Sequence, residues 1–231
     1  MVRVVSWNVQ YGIAVEAAGH QLADEADLGS ADIVLLQEMD EPGTARIAEM
    51  LGAMYAYASR APHANTGRDF GNAVISRWPL SDPFDVLLPH IASVDGHPRH
   101  AMRATVEIDG RAVDAYSVHT ETPQLRLARR VEQFDTVADD IRRRGVPHAV
   151  VGGDFNTVTE RGVRALTRSM ASAGLERVSG LGLASYRRFG RDLPLDHLFA
   201  GGFERVTGGV VPATEASDHL PVWVELDPRN N

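Results

Sequence analysis

The strongest constraint on the fold is a set of nine short apolar runs, each about as long as a β-strand. Several are continuous, as expected for strands that are buried on both faces. The runs are Val2–Ser6, Ile33–Leu36, Ala73–Ile75, Met102–Ile108, Val113–Val118, Ala149–Val151, Leu195–Phe199, Val206–Val211 and Leu220–Leu226. So many strands, with helical patterns between them, indicate an α/β fold in which two sheets pack together with helices outside.

Three segments between the strands have the pattern of a helix. Residues 43–51 form a short one, and residues 123–144 form the longest, with apolar side chains at helical spacing. Gly145 ends this long helix. A third helix is predicted for residues 161–173, and Gly174 ends it. We interpret six arginines of the long helix as mostly a solvated face: Arg126, Arg129, Arg130, Arg142, Arg143 and Arg144.

Composition limits the chemistry and the cellular location. The 231 residues are enough for a substantial core, and we expect a single domain over residues 1–231 and a monomer. There is no cysteine, so a metal must bind to oxygen or imidazole ligands; these favour Mg²⁺ or Mn²⁺, and histidine also allows zinc. No apolar run approaches membrane-spanning length, and the N-terminus lacks a secretion signal. We therefore expect a cytoplasmic protein with no membrane partner.

Polar residues stand at the ends of the predicted strands. Ser217-Asp218-His219 opens the last strand, and an adjacent carboxylate and imidazole suit a metal-assisted attack of water on a phosphorus centre. Taken alone, this triplet is more typical of a surface turn. It is not alone, because four other strand ends carry residues of the same kind: Trp7-Asn8, Gln37-Glu38, Val118-His119 and Gly153–Asn156.

The sharpest of these motifs is Gly152-Gly153-Asp154-Phe155-Asn156, which follows an apolar strand. Its glycines let the backbone turn tightly or let a ligand approach closely. Asp154 and Asn156 are two apart in extended chain and so project to the same side. One could polarise a nucleophilic water while the other donates to a phosphoryl oxygen. An Asx turn that closes the strand is an equal alternative.

The remaining candidates are single residues with two interpretations each. Asn8 and Glu38 are oxygen donors at strand exits, as a hard cation requires, although Glu38 alone would be taken for a solvated residue. His119 ends a strand, where a lone histidine is more often structural. Asp196 lies within an apolar strand and needs a partner, either an imidazole or the backbone. Together these residues meet the needs of metal-assisted phosphoester hydrolysis.

In these motifs the chain resembles the endonuclease/exonuclease/phosphatase superfamily, which has the deoxyribonuclease-I-like fold. The resemblance covers essentially the whole length. Its motifs, in order, are Trp7-Asn8, Gln37-Glu38, the Gly-Asn…Ser-Arg segment at residues 71–79, His119, Gly153–Asn156, the Asp-bearing strand Leu195–Phe199 and Ser217–His219. It implies a four-layered α/β sandwich of two mixed, mostly antiparallel sheets flanked by helices.

The resemblance also implies roles at a metal centre. Glu38 would bind the principal Mg²⁺ or Mn²⁺, with Asn8 and Asp218 close by. His219 would be the general base or would orient the attacking water, held in place by Asp196.

The resemblance also implies which residues position the nucleophile and bind the phosphate. Asp154 would position the nucleophile or a second metal. The contacts to the phosphate would come from Asn156, His119 and Asn72. Gln10 stands where some relatives carry an acidic or histidine residue that helps to bind metal, and His97 stands where many small bacterial relatives have glutamate. These departures leave second-metal binding and substrate preference open.

We therefore expect a metal-dependent phosphoesterase, with a small-molecule substrate favoured over duplex DNA. The net charge of −8 gives little attraction for a polyanion, and the compact chain leaves little room for DNA-probing insertions. An endonuclease or exonuclease acting on DNA or RNA is the alternative. A non-catalytic binding module on the same scaffold is a third, which loss of the base or of the metal carboxylates would signal; none is lost.

Overall fold

A computed structural model of the chain describes residues 1–63, 66–91, 96–179, 184–188 and 191–229. It confirms the predicted sandwich of two mixed sheets flanked by helices. The helices are α1 (Val15–Asp24), α2 (Glu41–Met50), α3 (Leu127–Arg144) and α4 (Glu160–Ser172). The strands are β1 (Val2–Asn8), β2 (Ile33–Met39), β3 (Met54–Pro62), β4 (Asp69–Ser76), β5 (Leu80–Ile91), β6 (Pro98–Ile108), β7 (Arg111–His119), β8 (His148–Asp154), β9 (Glu176–Arg177), β10 (Tyr186–Arg188), β11 (Arg191–Leu193), β12 (Asp196–Gly201), β13 (Phe203–Val210) and β14 (Val222–Pro228).

Each large sheet has six strands and one parallel pair at its centre. The first sheet has the order β13-β14-β1-β2-β4-β3, and the second has the order β5-β6-β7-β8-β12-β9. Strands β1 and β2 run parallel, as do β7 and β8, and the other pairs are antiparallel. Because parallel strands end at the same edge, Asn8 lies beside Gln37 and His119 lies beside Asp154. The antiparallel β12 starts at that edge, and Asp196 pairs with Asp154.

The core consists of three apolar layers. The layer between the sheets is formed by residues such as Val4 and Leu35 from the first sheet and Val150 and Leu198 from the second. Helices α1 and α2 cover the outer face of the first sheet, and α3 and α4 cover that of the second. Strands buried on both faces explain the continuous apolar runs in the sequence. No helix in the described ranges is long and apolar enough to span a membrane.

The two glycines before Asp154 are explained by close packing rather than by a turn. A Cβ atom on Gly152 would lie 2.7 Å from side-chain atoms of both Leu35 and Leu198, where the sheets meet. A Cβ atom on Gly153 would lie 1.8 Å from the carbonyl oxygen of Val118. Neither glycine has a positive φ and both lie within β8, so of the two interpretations of these glycines the tight turn is not the one that the structure forms.

Several predicted boundaries were wrong for identifiable reasons. The long helix begins at Leu127 rather than at Pro123, because residues 123–125 form a separate turn in which the amide of Leu125 donates to Thr122. Its predicted end at Gly145 is confirmed, in the left-handed conformation with φ 63°. Strand β14 begins at Val222, so Ser217–His219 lies in the loop before it.

Candidate active site

Six of the nine predicted site residues line one open cleft of about 530 Å³ at an edge of the sandwich. This is the edge at which β1, β2, β7 and β8 end. The six are Glu38, His119, Asp154, Asn156, Asp218 and His219. Asn8 and Asp196 are buried directly behind them and contact them by hydrogen bonds.

Asn72 is the exception. Its side chain is almost fully buried, and its Nδ2 donates to the carbonyl oxygen of His100 at 2.8 Å. It borders a second, smaller cavity that it shares with His100 and His119. The structure therefore does not bring Asn72 into the cleft with the other candidates.

Glu38 reaches the cleft through an irregularity in β2. The register with β4 shifts between Gln37 and Met39, and Glu38 has φ 61° in the left-handed region. Such a bulge redirects a side chain that regular alternation would place elsewhere. A non-glycine residue in this conformation is strained, and strain of this kind is concentrated at functional sites. Gln10, Tyr11 and Asn156 also have positive φ and line the same cleft.

The amide of Asn8 connects the two sheets at the centre of the site. Its Nδ2 donates to Glu38 Oε1 at 2.9 Å and to Asp154 Oδ2 at 3.2 Å. Its Oδ1 accepts from the backbone amide of Gln10 at 3.1 Å. The backbone amide of Tyr11 adds a second donor to Glu38, at 3.2 Å from Oε2. These bonds hold two carboxylates from different sheets next to each other.

Asp154 faces two imidazoles. Its Oδ2 lies 3.7 Å from His119 Nε2 and 3.7 Å from His219 Nε2. Burial raises the pKa of Asp154 to about 7, although His219 opposes the shift. Burial also raises the pKa of Glu38, against the hydrogen bond from Asn8. The pKa of His119 lies well below its ordinary value because of burial and the nearby Arg99.

His219 is held on three sides. Its Nδ1 lies 2.8 Å from Asp196 Oδ2, its backbone amide donates to Ser217 Oγ at 3.1 Å, and Trp7 Nε1 donates to its carbonyl oxygen at 2.9 Å. Burial lowers the pKa of His219, but the carboxylates of Asp196 and Asp154 outweigh burial and raise it to about 10. The ring of Tyr186 covers the imidazole, with centroids 4.6 Å apart.

Asn156 forms the Asx turn that its motif allows, at a position where it also lines the cleft. Its backbone amide donates to Asp154 Oδ1 at 2.9 Å, which is the hydrogen bond of an Asx turn. Its side-chain Nδ2 donates to the carbonyl oxygen of Thr120 at 3.1 Å. The residue nevertheless lines the cleft next to Asp154.

Two arginines of the site gave no signal in the sequence. Arg130 lies on α3, and its Nη2 donates to the carbonyl oxygens of Phe155 at 3.2 Å and Asn156 at 2.9 Å. The predicted solvated face is correct for Arg126, Arg129, Arg142 and Arg143, wrong for the buried Arg130, and only partly correct for Arg144. Arg99 is also buried and lines the cleft, with Nε 3.6 Å from Glu121 Oε2.

The donor atoms of the site fit a hard divalent cation. Among the described residues, Glu38, His119 and Asp154 offer ligand atoms within 4.8 Å of one another, and so do Asp154, Asp196 and His219. Oxygen and imidazole donors without sulfur are typical ligands of such ions. Buried carboxylates whose pKa is raised by burial are stabilised when a positive charge is added between them.

The structure is an α/β sandwich with an acidic and histidine-lined cleft at one edge, and sequence comparison gives its family. The Endonuclease/Exonuclease/phosphatase family matches residues 5–219, and the chain belongs to that family. A UPF0294 protein of Yersinia pseudotuberculosis is 28% identical over an alignment of 237 positions, gaps included, which covers 99% of this chain and 84% of that protein.

Solved structures of the same fold are similar over nearly the whole chain. One is an endonuclease/exonuclease/phosphatase family protein from Leptotrichia buccalis, with a TM-score of 0.77, 16% identity and coverage of 98% of this chain and 100% of that one. Another is a mannosyl-6-phosphatase of Bacteroides thetaiotaomicron, with a TM-score of 0.74, 20% identity and coverage of 98% and 100%. At these identities the likeness shows the fold.

Proposed function

We propose that this protein is a divalent-metal-dependent phosphoesterase that hydrolyses a phosphomonoester or phosphodiester by activated water. The observation that carries the proposal is the convergence of Glu38, Asp154 and the His219–Asp196 pair in one open cleft. Family membership supports the reaction class, because the family comprises phosphoester hydrolases. We expect the cation to be Mg²⁺ or Mn²⁺.

The cation would be held by Glu38 and by oxygen atoms next to it. Asp218 lines the cleft near Glu38 and is the second candidate ligand. Asn8 presents its amide nitrogen to Glu38, so it would hold that carboxylate in place, and rotation of the amide would turn its oxygen toward the ion. A bound cation would neutralise charge that develops on the phosphoryl oxygens.

The proton of the attacking water would go to the pair formed by Asp154 and His219. Their side-chain atoms lie 3.7 Å apart and both line the cleft, so one water can contact both. Asp196 occupies Nδ1 of His219 and thereby directs Nε2 toward Asp154. His119 and Asn156 lie beside this pair and would contact the phosphoryl oxygens, whereas the position of Asn72 supports a structural role instead.

A small-molecule substrate is favoured by charge and by one neighbour. The net charge of −8 disfavours a long polyanion, and a structural neighbour is a mannosyl-6-phosphatase. The nuclease alternative is favoured by the exposed Arg126 and Arg129, which follow the cleft residues Thr122–Gln124 and could begin a basic track.

A substrate panel with controlled metal tests the proposal. Small phosphomonoesters, small phosphodiesters and plasmid DNA would be assayed at physiological salt with Mg²⁺, Mn²⁺ or EDTA. We expect hydrolysis of a small phosphoester that is lost in EDTA and restored by either ion. Full activity in EDTA would contradict the metal site, and rapid plasmid nicking without turnover of small esters would establish the nuclease alternative. No hydrolysis of any ester would favour a non-catalytic binding module.

A further inference from the structure

Four aromatic rings form a continuous surface on one side of the cleft. Tyr11 lies 4.4 Å from His63 and 5.7 Å from Phe70, measured between ring centroids. His63 lies 5.2 Å from Phe70, and Phe70 lies 5.4 Å from His119. The four rings are called the ring wall below. Their planes are inclined by 34–49° to one another, so the wall is curved rather than stacked.

The ring wall begins at the proposed reaction centre and leads away from it. His119, at one end, lies 3.7 Å from Asp154. Tyr11, elsewhere in the wall, donates its backbone amide to Glu38. A group attached to a phosphorus atom between Glu38 and Asp154 would therefore pass directly along these rings.

The rings come from separate parts of the chain that the fold brings together. Tyr11 lies in a short turn after β1 with a left-handed backbone of φ 59°, and His63 and Phe70 lie on either side of the β3–β4 connection. Tyr11 and Phe70 keep part of their surface exposed in the cleft, unlike the aromatic residues of the core. The guanidinium of Arg99 lies 5.2 Å from the Phe70 ring centroid. Rings that only filled space would be expected to be buried, as His63 and His119 largely are, so Tyr11 and Phe70 are the rings that offer most surface to a ligand.

We infer that the ring wall binds a planar aromatic or heteroaromatic group of the substrate, attached through its alcohol oxygen to the phosphoryl group. This inference rests on the proposed phosphoesterase activity. Contact with ring faces stabilises a bound aromatic group by more than the burial of its surface area alone. A saturated group of equal size is stabilised only by burial. The imidazole of His63 and the phenol of Tyr11 add polar edges that suit the ring nitrogens and oxygens of a heteroaromatic group.

The test compares two substrates of similar size that differ in the flatness of the ring. Benzyl phosphate and cyclohexylmethyl phosphate both release a primary alcohol, and their methyl diesters serve the same purpose if the enzyme prefers diesters. Benzyl alcohol is also the slightly more acidic leaving group, so the benzyl preference below means the excess over the ratio of the two esters in uncatalysed hydrolysis. We expect the wild type to have a kcat/KM about two- to tenfold higher for the benzyl ester, as the gain from aromatic pairs implies. Tyr11→Ala and Phe70→Leu should abolish this preference. Tyr11→Ala should also lower kcat/KM for the benzyl ester by about 5- to 100-fold.

Tyr55→Ala is the matched control, since Tyr55 is an exposed tyrosine on β3 that does not line the cleft. The ratio between the two esters is measured on one preparation, so a loss of folded enzyme cancels. Equal rates for both esters in the wild type, or a benzyl preference that survives in both wall variants, would overturn the inference.

A binding measurement separates failure of this inference from failure of the proposed function. Titration calorimetry of both esters with Mg²⁺ reports on the ring wall even if no ester is hydrolysed. Absence of turnover together with a benzyl preference in binding that Tyr11→Ala removes would reject the phosphoesterase and retain the wall. Turnover of both esters without any preference in binding would reject the ring wall as a binding surface and retain the phosphoesterase.

Discussion

The two ends of the same β-sandwich differ in the carboxylates that they bury. At the site end, where β1, β2, β7 and β8 finish, buried carboxylates crowd together and Asp196 Oδ1 has no hydrogen-bond partner among the residues that the structure describes. At the far end, both carboxylate oxygens of Asp32 are satisfied, one by the amide of Arg3 at 2.8 Å and the other by Trp78 Nε1 at 2.9 Å.

Left-handed backbone occurs at both ends, including Asp82 with φ 49° within β5, and Asp109 and Glu38 give one example from each end. The left-handed Asp109 at the far end lies in the two-residue turn between β6 and β7, together with Gly110, where positive φ is normal. The left-handed Glu38 lies within a strand. From this comparison we expect the polar residues of the site end to contribute little to the stability of the sandwich. Substitutions at the site end should lower enzymatic activity. Substitutions at the far end should leave activity unchanged, whether or not they change the free energy of unfolding.

The largest expected effect is that of Asp154→Asn. We predict a fall in kcat of about 100- to 10,000-fold, because the variant removes a proton acceptor for the attacking water. The melting temperature should stay the same or rise, since burial disfavours the charged form of Asp154. Steady-state kinetics and thermal unfolding measure the two effects. Asp109→Asn is the far-end control, and it should leave both unchanged.

A pair of histidines tests the same contrast with one residue type. His219→Asn should lower kcat by about 100- to 1,000-fold, because it removes an element of water activation. His148→Asn, at the far end beside Phe203, should leave kcat within about twofold and change only the free energy of unfolding. A large loss of kcat in His148→Asn would remove the distinction between the ends.

His197 sharpens the comparison within one strand, because it points away from the cleft while its neighbour Asp196 points toward it. Burial lowers the pKa of His197 to about 4, so the unfolded chain takes up a proton that the folded chain does not. This difference in proton uptake does not affect the unfolding free energy above pH 6.5. As the pH falls from 6.5 toward 4, it lowers the unfolding free energy by at most about 3 kcal/mol.

Urea unfolding of the wild type and of His197→Gln at pH 7 and pH 4.5 measures this effect. The wild type should lose more unfolding free energy than the variant over this interval. An identical loss in both proteins would show that His197 does not carry the pH dependence.

A smaller effect is expected from Arg130→Gln. The guanidinium of Arg130 donates to the carbonyl oxygens of Phe155 and Asn156, so its loss should displace Asn156 and the loop that follows Asp154. We predict a decrease in kcat of about tenfold with little change in KM, which corresponds to about 1.4 kcal/mol. Arg129→Gln, on the exposed side of the same helix, is the control. Equal activity in both variants would assign Arg130 to helix packing alone.

The smallest effect should come from the far-end ion pair of Arg3 and Glu225. Both side chains are partly exposed, and such pairs contribute less than about 1 kcal/mol. Glu225→Gln should therefore lower the unfolding free energy by no more than this amount and leave kcat unchanged. A change in kcat measured with the same substrate would mean that the two ends are coupled.

The sequence predicted the central strands well and the edges poorly. Strands β1, β2 and β8 are buried on both faces, so their apolar runs are continuous and easily recognised. Strands β3 and β5 lie at sheet edges and bury few of their residues, so they have no long apolar run and were missed. Helix α1 was missed as well, since its small residues Ala17, Ala18 and Gly19 give little apolar periodicity.

The candidate site was predicted as a set of residue types rather than as an arrangement. Polar residues at the ends of apolar strands can be recognised in the sequence alone. This pattern identified Glu38, His119, Asp154 and His219. Arg99 and Arg130 could not, because an arginine within a strand or helix looks like any solvated arginine until its neighbours are known. The ring wall gave no signal for the same reason, since Tyr11, His63 and Phe70 have no common spacing.

The sequence by itself determined the α/β class, the strands of both sheet centres and the polar residues at one edge, because burial on both faces and strand-end polarity are local patterns. Only the tertiary structure decided which of those residues meet. Asp196 begins β12 in the second sheet and His219 lies in the loop before β14 of the first, and their 2.8 Å contact depends on how the two sheets stack. The bulge that directs Glu38 into the cleft likewise depends on pairing with β4. Contacts between distant segments are set by packing, and local propensity carries no information about them.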